Sequence, residues 1–240
     1  MPPNPFLGVW QRHSIQFDQG PIDTSQAVLW MQAETHFADV RSAPFAGRLT
    51  PERYRAMDWR SHFAADLLGF AGTFTWSEQP PTCTWHHRLA LTPRQRPDTS
   101  RYQWLDADNF LEQGTCDDDE GNDHGFVEHW HRRHPGPVQV WRLDRSEHQG
   151  QALRAGGWAV LVHQWRDPPT ADLLADGAFF GAFSATAWQH REGTWRALFG
   201  TEASLGTPPQ WTPLDLDAPA GVWQLEQSAS PNLSQSLTKY

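Results

Sequence analysis

Five short runs of large aromatic and β-branched residues, each with charged, amide or imidazole side chains set into its middle, constrain what this chain can fold into. They are Leu7–Phe17 (LGVWQRHSIQF), Ala27–Arg41 (AVLWMQAETHFADVR), Thr82–Leu91 (TCTWHHRLAL), Gly125–Arg133 (GFVEHWHRR) and Gly157–Arg166 (GWAVLVHQWR). A sheet with one dry and one wet face keeps its charges on the wet side. Here Arg12, Gln32, Glu34, His36, Glu128 and His131 are interleaved with aromatics instead. Strands written this way are expected to line a barrel with a partly polar, ligand-sized interior.

Further strand signals lie at Gly69–Ser77, Arg101–Leu105, Asn109–Gln113, Val138–Asp144, Phe179–Gln189, Thr194–Thr201 and Gly221–Gln227. One segment breaks the pattern. Thr50-Pro51-Glu52-Arg53 has the form of a helix start, with Thr50 as N-cap and Pro51 at the first helical position, and Gly69 is a natural stop. Thr170–Asp176 can form a helical turn, and the residues from Ser228 onward read as a polar tail. The acidic run Asp117–Asp123 fails the calcium-loop spacing, because Gly121 stands at its fifth position, and reads as a solvated hairpin loop. About a dozen strands without an interdomain linker lead to an all-β expectation. It is a single antiparallel calycin-like β-barrel with a short helical insertion, one domain over 1–240 with its core at 6–227 and the tail at 228–240.

Composition excludes several classes of function. A net charge of −9 argues against nucleic-acid binding, which needs clustered cations. Lys239 is the only lysine, as expected of a bacterial protein from a GC-rich genome, so Schiff-base chemistry has no residue in the body of the fold. The 14 tryptophans supply ample area for a core and for ligand walls alike. Cys83 and Cys116 lack metal-ligand spacing. No apolar run is long enough for a membrane span and the N-terminus has no secretory pattern, so the expectation is a cytoplasmic protein.

Gly8 and Trp10 form a Gly-x-Trp on the first strand, followed by Arg12-x-Ser14-Ile15 and Trp30-x-Gln32-x-x-Thr35-x-Phe37-x-Asp39-x-Arg41. This resembles lipocalin-like proteins of the calycin type over roughly the first 45 residues, with Glu128-x-Trp130-x-Arg132 as a looser echo. The resemblance implies a ligand-holding barrel and no reaction. The longer glycine pattern of the heme-binding nitrobindins is absent, since Arg12 and Ser14 occupy its glycine positions.

Strand alternation places Trp30, Gln32, Glu34 and His36 on one face, and Asp39 with Arg41 on the other. Arg12, Gln32, His36 and Arg41 are therefore expected to orient a ligand whose apolar body packs on Trp30 and Trp130. Asp39 pairs with Arg41 or joins it in clamping a ligand carboxylate. Glu128 beside Trp130 has the surroundings of an acid–base group, or pairs with Arg132. His129 and His131 share a face without a cupin-type continuation, and no metal site is assigned. The resulting expectation is a binder of a small, largely apolar molecule with one polar or acidic group. Two alternatives stand beside it: a barrel enzyme using Glu128 or a histidine-held metal or heme, and a structural or interaction protein whose barrel is filled by its own side chains. The sequence names no catalytic residue and no cofactor.

Overall fold

Alternation of inward and outward side chains carries eight strands, in plain sequence order, into a closed antiparallel barrel of calycin-like architecture. They are β1 (Gly8–Phe17), β2 (Val28–Gln32), β3 (His36–Arg41), β4 (Gly69–Glu78), β5 (Pro81–Ala90), β6 (Asp98–Trp104), β7 (Asn109–Asp117) and β8 (Asp123–Pro135). β1 pairs with β8 to close the ring. The computed structural model describes residues 4–43, 49–91, 97–118, 120–165, 183–201, 211–217 and 223–227. The helical turn expected at Thr170–Asp176 and the tail from Ser228 lie outside these residues.

The expected helical insertion is present between β3 and β4 as α1 (Pro51–Arg55) and α2 (Trp59–Asp66). The Thr50 hydroxyl accepts from the Arg53 backbone N–H at 3.2 Å, and the Asp58 carboxylate caps α2 by accepting from Ser61 at 2.8 Å. The run Ala27–Arg41, read from sequence as one long strand, is instead the β2–β3 hairpin. Ala33 donates to the His36 carbonyl at 2.8 Å across its turn, and the Asn4 amide holds the turn by donating to the carbonyls of Ala33 and Glu34.

The single barrel of the sequence expectation also needs correction, because six strands form a second sheet. These are β9 (Gln139–Asp144), β10 (His148–Ala155), β11 (Trp158–Trp165), β12 (Phe183–Arg191), β13 (Thr194–Gly200) and β14 (Gln224–Gln227), in the order β13-β12-β11-β10-β9-β14. This sheet lies on the outer wall of the barrel. Leu29, Met31, Ala38, Val40, Ala71 and Leu89 point out of the barrel and pack against Leu153, Val160, Val162, Ala185 and Ala187. The inner faces of the same barrel strands carry Val28, Trp30, Phe37 and Phe70. The wall is therefore apolar on both sides, which is why neither face of these strands looks wet or dry in the sequence.

Two side-chain amides fasten the layers. Gln151 on β10 donates to the carbonyls of Phe37 (2.6 Å) and Gly72 (3.0 Å), and Gln164 on β11 accepts from the Ala90 N–H at 3.1 Å. A third core, with Trp141, Leu161, Trp188 and Trp223, covers the far side of the second sheet.

Inside the barrel, Phe6 is the hub of an aromatic plug. Its ring lies 5.0–6.0 Å from those of Trp30, Phe74, Tyr102, Trp104 and Phe110, and Trp10 donates its indole N–H to the Phe6 carbonyl at 2.7 Å. At this end Arg132 lies over the Trp10 ring at 4.4 Å. Neither cysteine forms a disulfide among the described residues, and no helix of these residues is long and apolar enough to cross a membrane.

The two layers approach closely at Gly69, where an added Cβ would overlap the methyl of Ala185. Gly69→Ala is expected to lower unfolding stability by about 1–3 kcal/mol through this overpacking. Gly157→Ala, where the added methyl meets only ordinary contacts, is the matched control. Urea denaturation of the two variants checks the difference; equal midpoints would refute the tight interlayer contact.

Candidate functional site

Beyond the aromatic plug, the interior of the barrel changes from hydrocarbon to charge. Arg12 on β1, Asp39 and Arg41 on β3, Glu112 on β7 and Glu128 on β8 all point inward, and none is more than 6% exposed. Arg12 donates one terminal nitrogen to Glu128 and the other to the Gln26 side-chain oxygen at 2.7 Å. Gln26 in turn donates to the Ser42 carbonyl at 2.9 Å. Arg41 donates through Nε to Asp39 at 3.0 Å and through a terminal nitrogen to the same Glu128 oxygen at 3.4 Å. Glu128 thus holds two guanidinium groups that arrive from β1 and β3.

Burial sets the protonation of the remaining carboxyls. It pushes Asp39 up to about 6, a rise that Arg41 partly offsets. Glu112 faces Glu128 in the β7–β8 register, and burial followed by the Glu128 charge raises it well above the ordinary carboxylate value. Glu112 accepts the Trp130 indole N–H at 3.0 Å. Burial opposes the charge on Arg41, yet Asp39 and Glu128 together hold its pKa above the usual guanidinium value.

This network rises to a cavity of about 440 Å³ at the mouth of the barrel. Arg12, Ile15 and Phe17 of β1 form one wall, the loop that follows β1 supplies Ile22 and Asp23, and α2 covers it with Arg60 and Phe63. The α2 cover is held by aromatic contacts. Phe17 meets Trp59 and Phe63 at 5.3 and 5.6 Å, and Phe63 meets Phe126 at 6.0 Å. Trp59 also stacks on His124 at 4.1 Å, whose two ring nitrogens lie 2.9 Å from Asp18 and 3.2 Å from Asp118. Hydrogen bonds that His124 donates to these two carboxylates raise its pKa.

The residues singled out from the sequence divide by position. Arg12, Asp39, Arg41 and Glu128 come together in the charged cluster, and Trp130 joins it through Glu112. Trp30 sits in the aromatic plug, and its indole N–H is buried without a hydrogen-bond partner. Gln32 is inside the barrel but donates to the Ala33 and His36 carbonyls of its own hairpin turn. His36 is on the outer wall, 3.7 Å from Glu226 of β14, because the β2–β3 turn at Glu34 and Thr35 reverses the alternation on which its placement rested. Arg132 does not pair with Glu128; it bonds the Pro5, Leu7 and Ala107 carbonyls and lies 3.5 Å from Asp108. Glu112 and Gln26 were not singled out. Glu112 was legible, because it stands two residues after the core residue Phe110 on one strand and so shares its inward face. Among the described residues, no group of three or more His, Cys, Asp or Glu side chains is placed to hold a metal ion.

Two substitutions separate the facing carboxyls. Glu112→Gln keeps an acceptor for Trp130 and replaces a carboxyl whose charge burial disfavours, so its cost is expected to stay within about 1 kcal/mol. Glu128→Gln leaves two buried guanidinium groups sharing Asp39 and is expected to cost about 3–5 kcal/mol. Chemical denaturation at pH 7 measures both, and equal losses would contradict the assignment. For Asp39, a carboxyl raised in the folded state binds more protons there than in the unfolded chain between about pH 4 and 6. Its contribution therefore makes stability fall as pH rises through that window. Asp39→Asn is expected to flatten this slope in denaturation curves collected from pH 4 to 7.

No protein family and no curated protein matches the sequence. The fold is similar to the crystal structure of the uncharacterized protein YLR301w from Saccharomyces cerevisiae, with a TM-score of 0.59 over 85% of this chain and 89% of that one. At 13% identity the likeness concerns the fold alone.

Proposed function

We propose that this protein binds a small, largely apolar molecule with one anionic group, and that it does so at the mouth of the barrel. The observation that carries the reading is the cavity of about 440 Å³ there, a size within the usual range of small-molecule sites. Its lining joins Ile15, Phe17, Ile22 and Phe63, for an apolar body, to the guanidinium groups of Arg12 and Arg60. Arg60 makes no ion pair among the described residues and rests over the Phe17 and Trp59 rings, so its charge is available to a ligand. Arg12 is pre-oriented by Glu128 and Gln26, and Arg41 and Asp39 act on it through Glu128. In this reading Trp30 and Trp130 support the floor rather than touch the ligand. Lipocalin-like function is meant in that limited sense, as a barrel that presents a ligand site at its open end.

A second reading, a structural or interaction protein, is favoured by one specific observation: the barrel below the charged cluster is packed with its own aromatic rings. Titration with 8-anilinonaphthalene-1-sulfonate, an apolar ring system with one anionic group, separates the two. Mouth binding is expected to give saturable fluorescence that weakens about fivefold, or about 1 kcal/mol, in both Phe63→Ala and Arg60→Ala. A signal that never saturates, or that ignores both substitutions, would leave the filled-barrel reading in its place.

A further inference from the structure

We propose that a second groove, on the outside of the barrel where β1 meets β8, is an oxyanion site for phosphoryl-bearing small molecules. The groove is built by two irregularities in one strand pair. Trp10 pairs with Arg132 and Val9 with His134, so Arg133 has no partner across the ladder. Arg12 pairs with Trp130 and Ser14 with His129, so His13 has none either. Between the two bulges Gln11 faces His131. A bulge re-aims the extra residue and bends its strand, and bulges concentrate at sites of this kind. Here both extra residues are basic, and both bulges open onto the same space.

That space has a volume of about 520 Å³ and is completed by Thr24 and Ser25 on the segment leading into β2. No carboxylate lines it. The acids of the adjoining turns are occupied: Asp106 accepts from Asn109 and from the Asp108 N–H, Asp108 faces Arg132, and Asp23 accepts from the Ser25 N–H. The basic side chains are not. Arg133 is exposed and makes no hydrogen bond or ion pair among the described residues, while His13 has only a ring contact with His129 at 5.4 Å. The His131 ring is oriented by Asn109 at 3.1 Å. In a chain of net charge −9, an acid-free groove with a free guanidinium and two imidazoles is a local reversal of sign.

Donors reach this groove from three elements: β1, β8 and the Thr24–Ser25 segment. Such a set fits a tetrahedral group with three outward oxygens better than a planar carboxylate. The volume exceeds what a bare phosphate fills and leaves room for an organic body. Arg12 and Gln26 line both this groove and the mouth cavity, so their mutual hydrogen bond is the partition between two sites.

The test is an NMR titration that follows histidine ring resonances as inorganic phosphate, phenyl phosphate or acetate is added to the full chain. His13 and His131 are expected to shift saturably with the two phosphates and not with acetate. Arg133→Ala should weaken the binding at least fivefold, whereas Arg196→Ala, an exposed arginine on β13, should not change it. Tighter binding of phenyl phosphate assigns the groove to phosphate monoesters, and equal binding assigns it to the free anion. Shifts that fail to saturate, that acetate reproduces, or that persist unchanged in Arg133→Ala overturn the proposal. Arg133 lies outside the mouth cavity, so the anilinonaphthalene titration of the same variant reports on the other site independently.

Discussion

The ion cluster centred on Glu128 is the interaction on which the rest of the barrel depends. Two guanidinium groups inside a closed ring of strands would repel each other and lose their hydration, and burial of a charge is tolerated only when it is paired and hydrogen-bonded. Glu128 answers both needs because β8 is the strand that closes the barrel against β1 and brings its carboxylate to Arg12. Asp39 supplies a second carboxylate to Arg41, while burial and the Glu128 charge raise the Glu112 pKa well above the ordinary carboxylate value. Two guanidinium groups thus meet two carboxylates. That balance lets the upper interior be polar without being open, and it orients Arg12 toward the mouth.

Much of the fold was legible in the chain, and the failures have identifiable causes. The helix start at Thr50 and Pro51 is carried by local capping chemistry, which needs no knowledge of the rest of the molecule. The pairing of Asp39 with Arg41 follows from their spacing on one strand face. The β2–β3 turn was hidden because Glu34 and Thr35 are not turn-specific residues, and the reversal there moved His36 to the outer wall. β10 was missed because its first half, His148-Gln-Gly-Gln, is polar; Gln151 is buried to bond the barrel backbone, a tertiary role that no periodicity reveals. The second sheet was folded into the barrel count because only the short turn at Pro135–Pro137 separates β8 from β9.

The polar residues set among aromatics have a different meaning from the one their pattern first implies. Read from spacing alone, interleaved charge and ring imply a ligand-sized lumen. The described interior is instead a plug of rings below and a satisfied ion cluster above, with the open volume displaced to the mouth and to the outer groove. The same inward-facing alternation serves both designs, so spacing alone does not distinguish a filled barrel from a hollow one. Summed side-chain volume across all eight strands decides it, and that quantity depends on register.

The two-sided apolar wall has a consequence for how the chain comes to be made. All eight barrel strands are complete at Pro135, but the residues that cover Leu29, Met31, Val40 and Leu89 arrive only with β10, β11 and β12, which ends at Arg191. At a synthesis rate of about 5–20 residues per second, the ring has its full set of strands for roughly 3–10 s before its cover exists. During that interval a nascent chain presents a broad greasy flank at the ribosome exit, where any holding factor that recognises exposed hydrocarbon would find it. The order of strands along the chain thus leaves the outer wall of the barrel uncovered until β12 has been made.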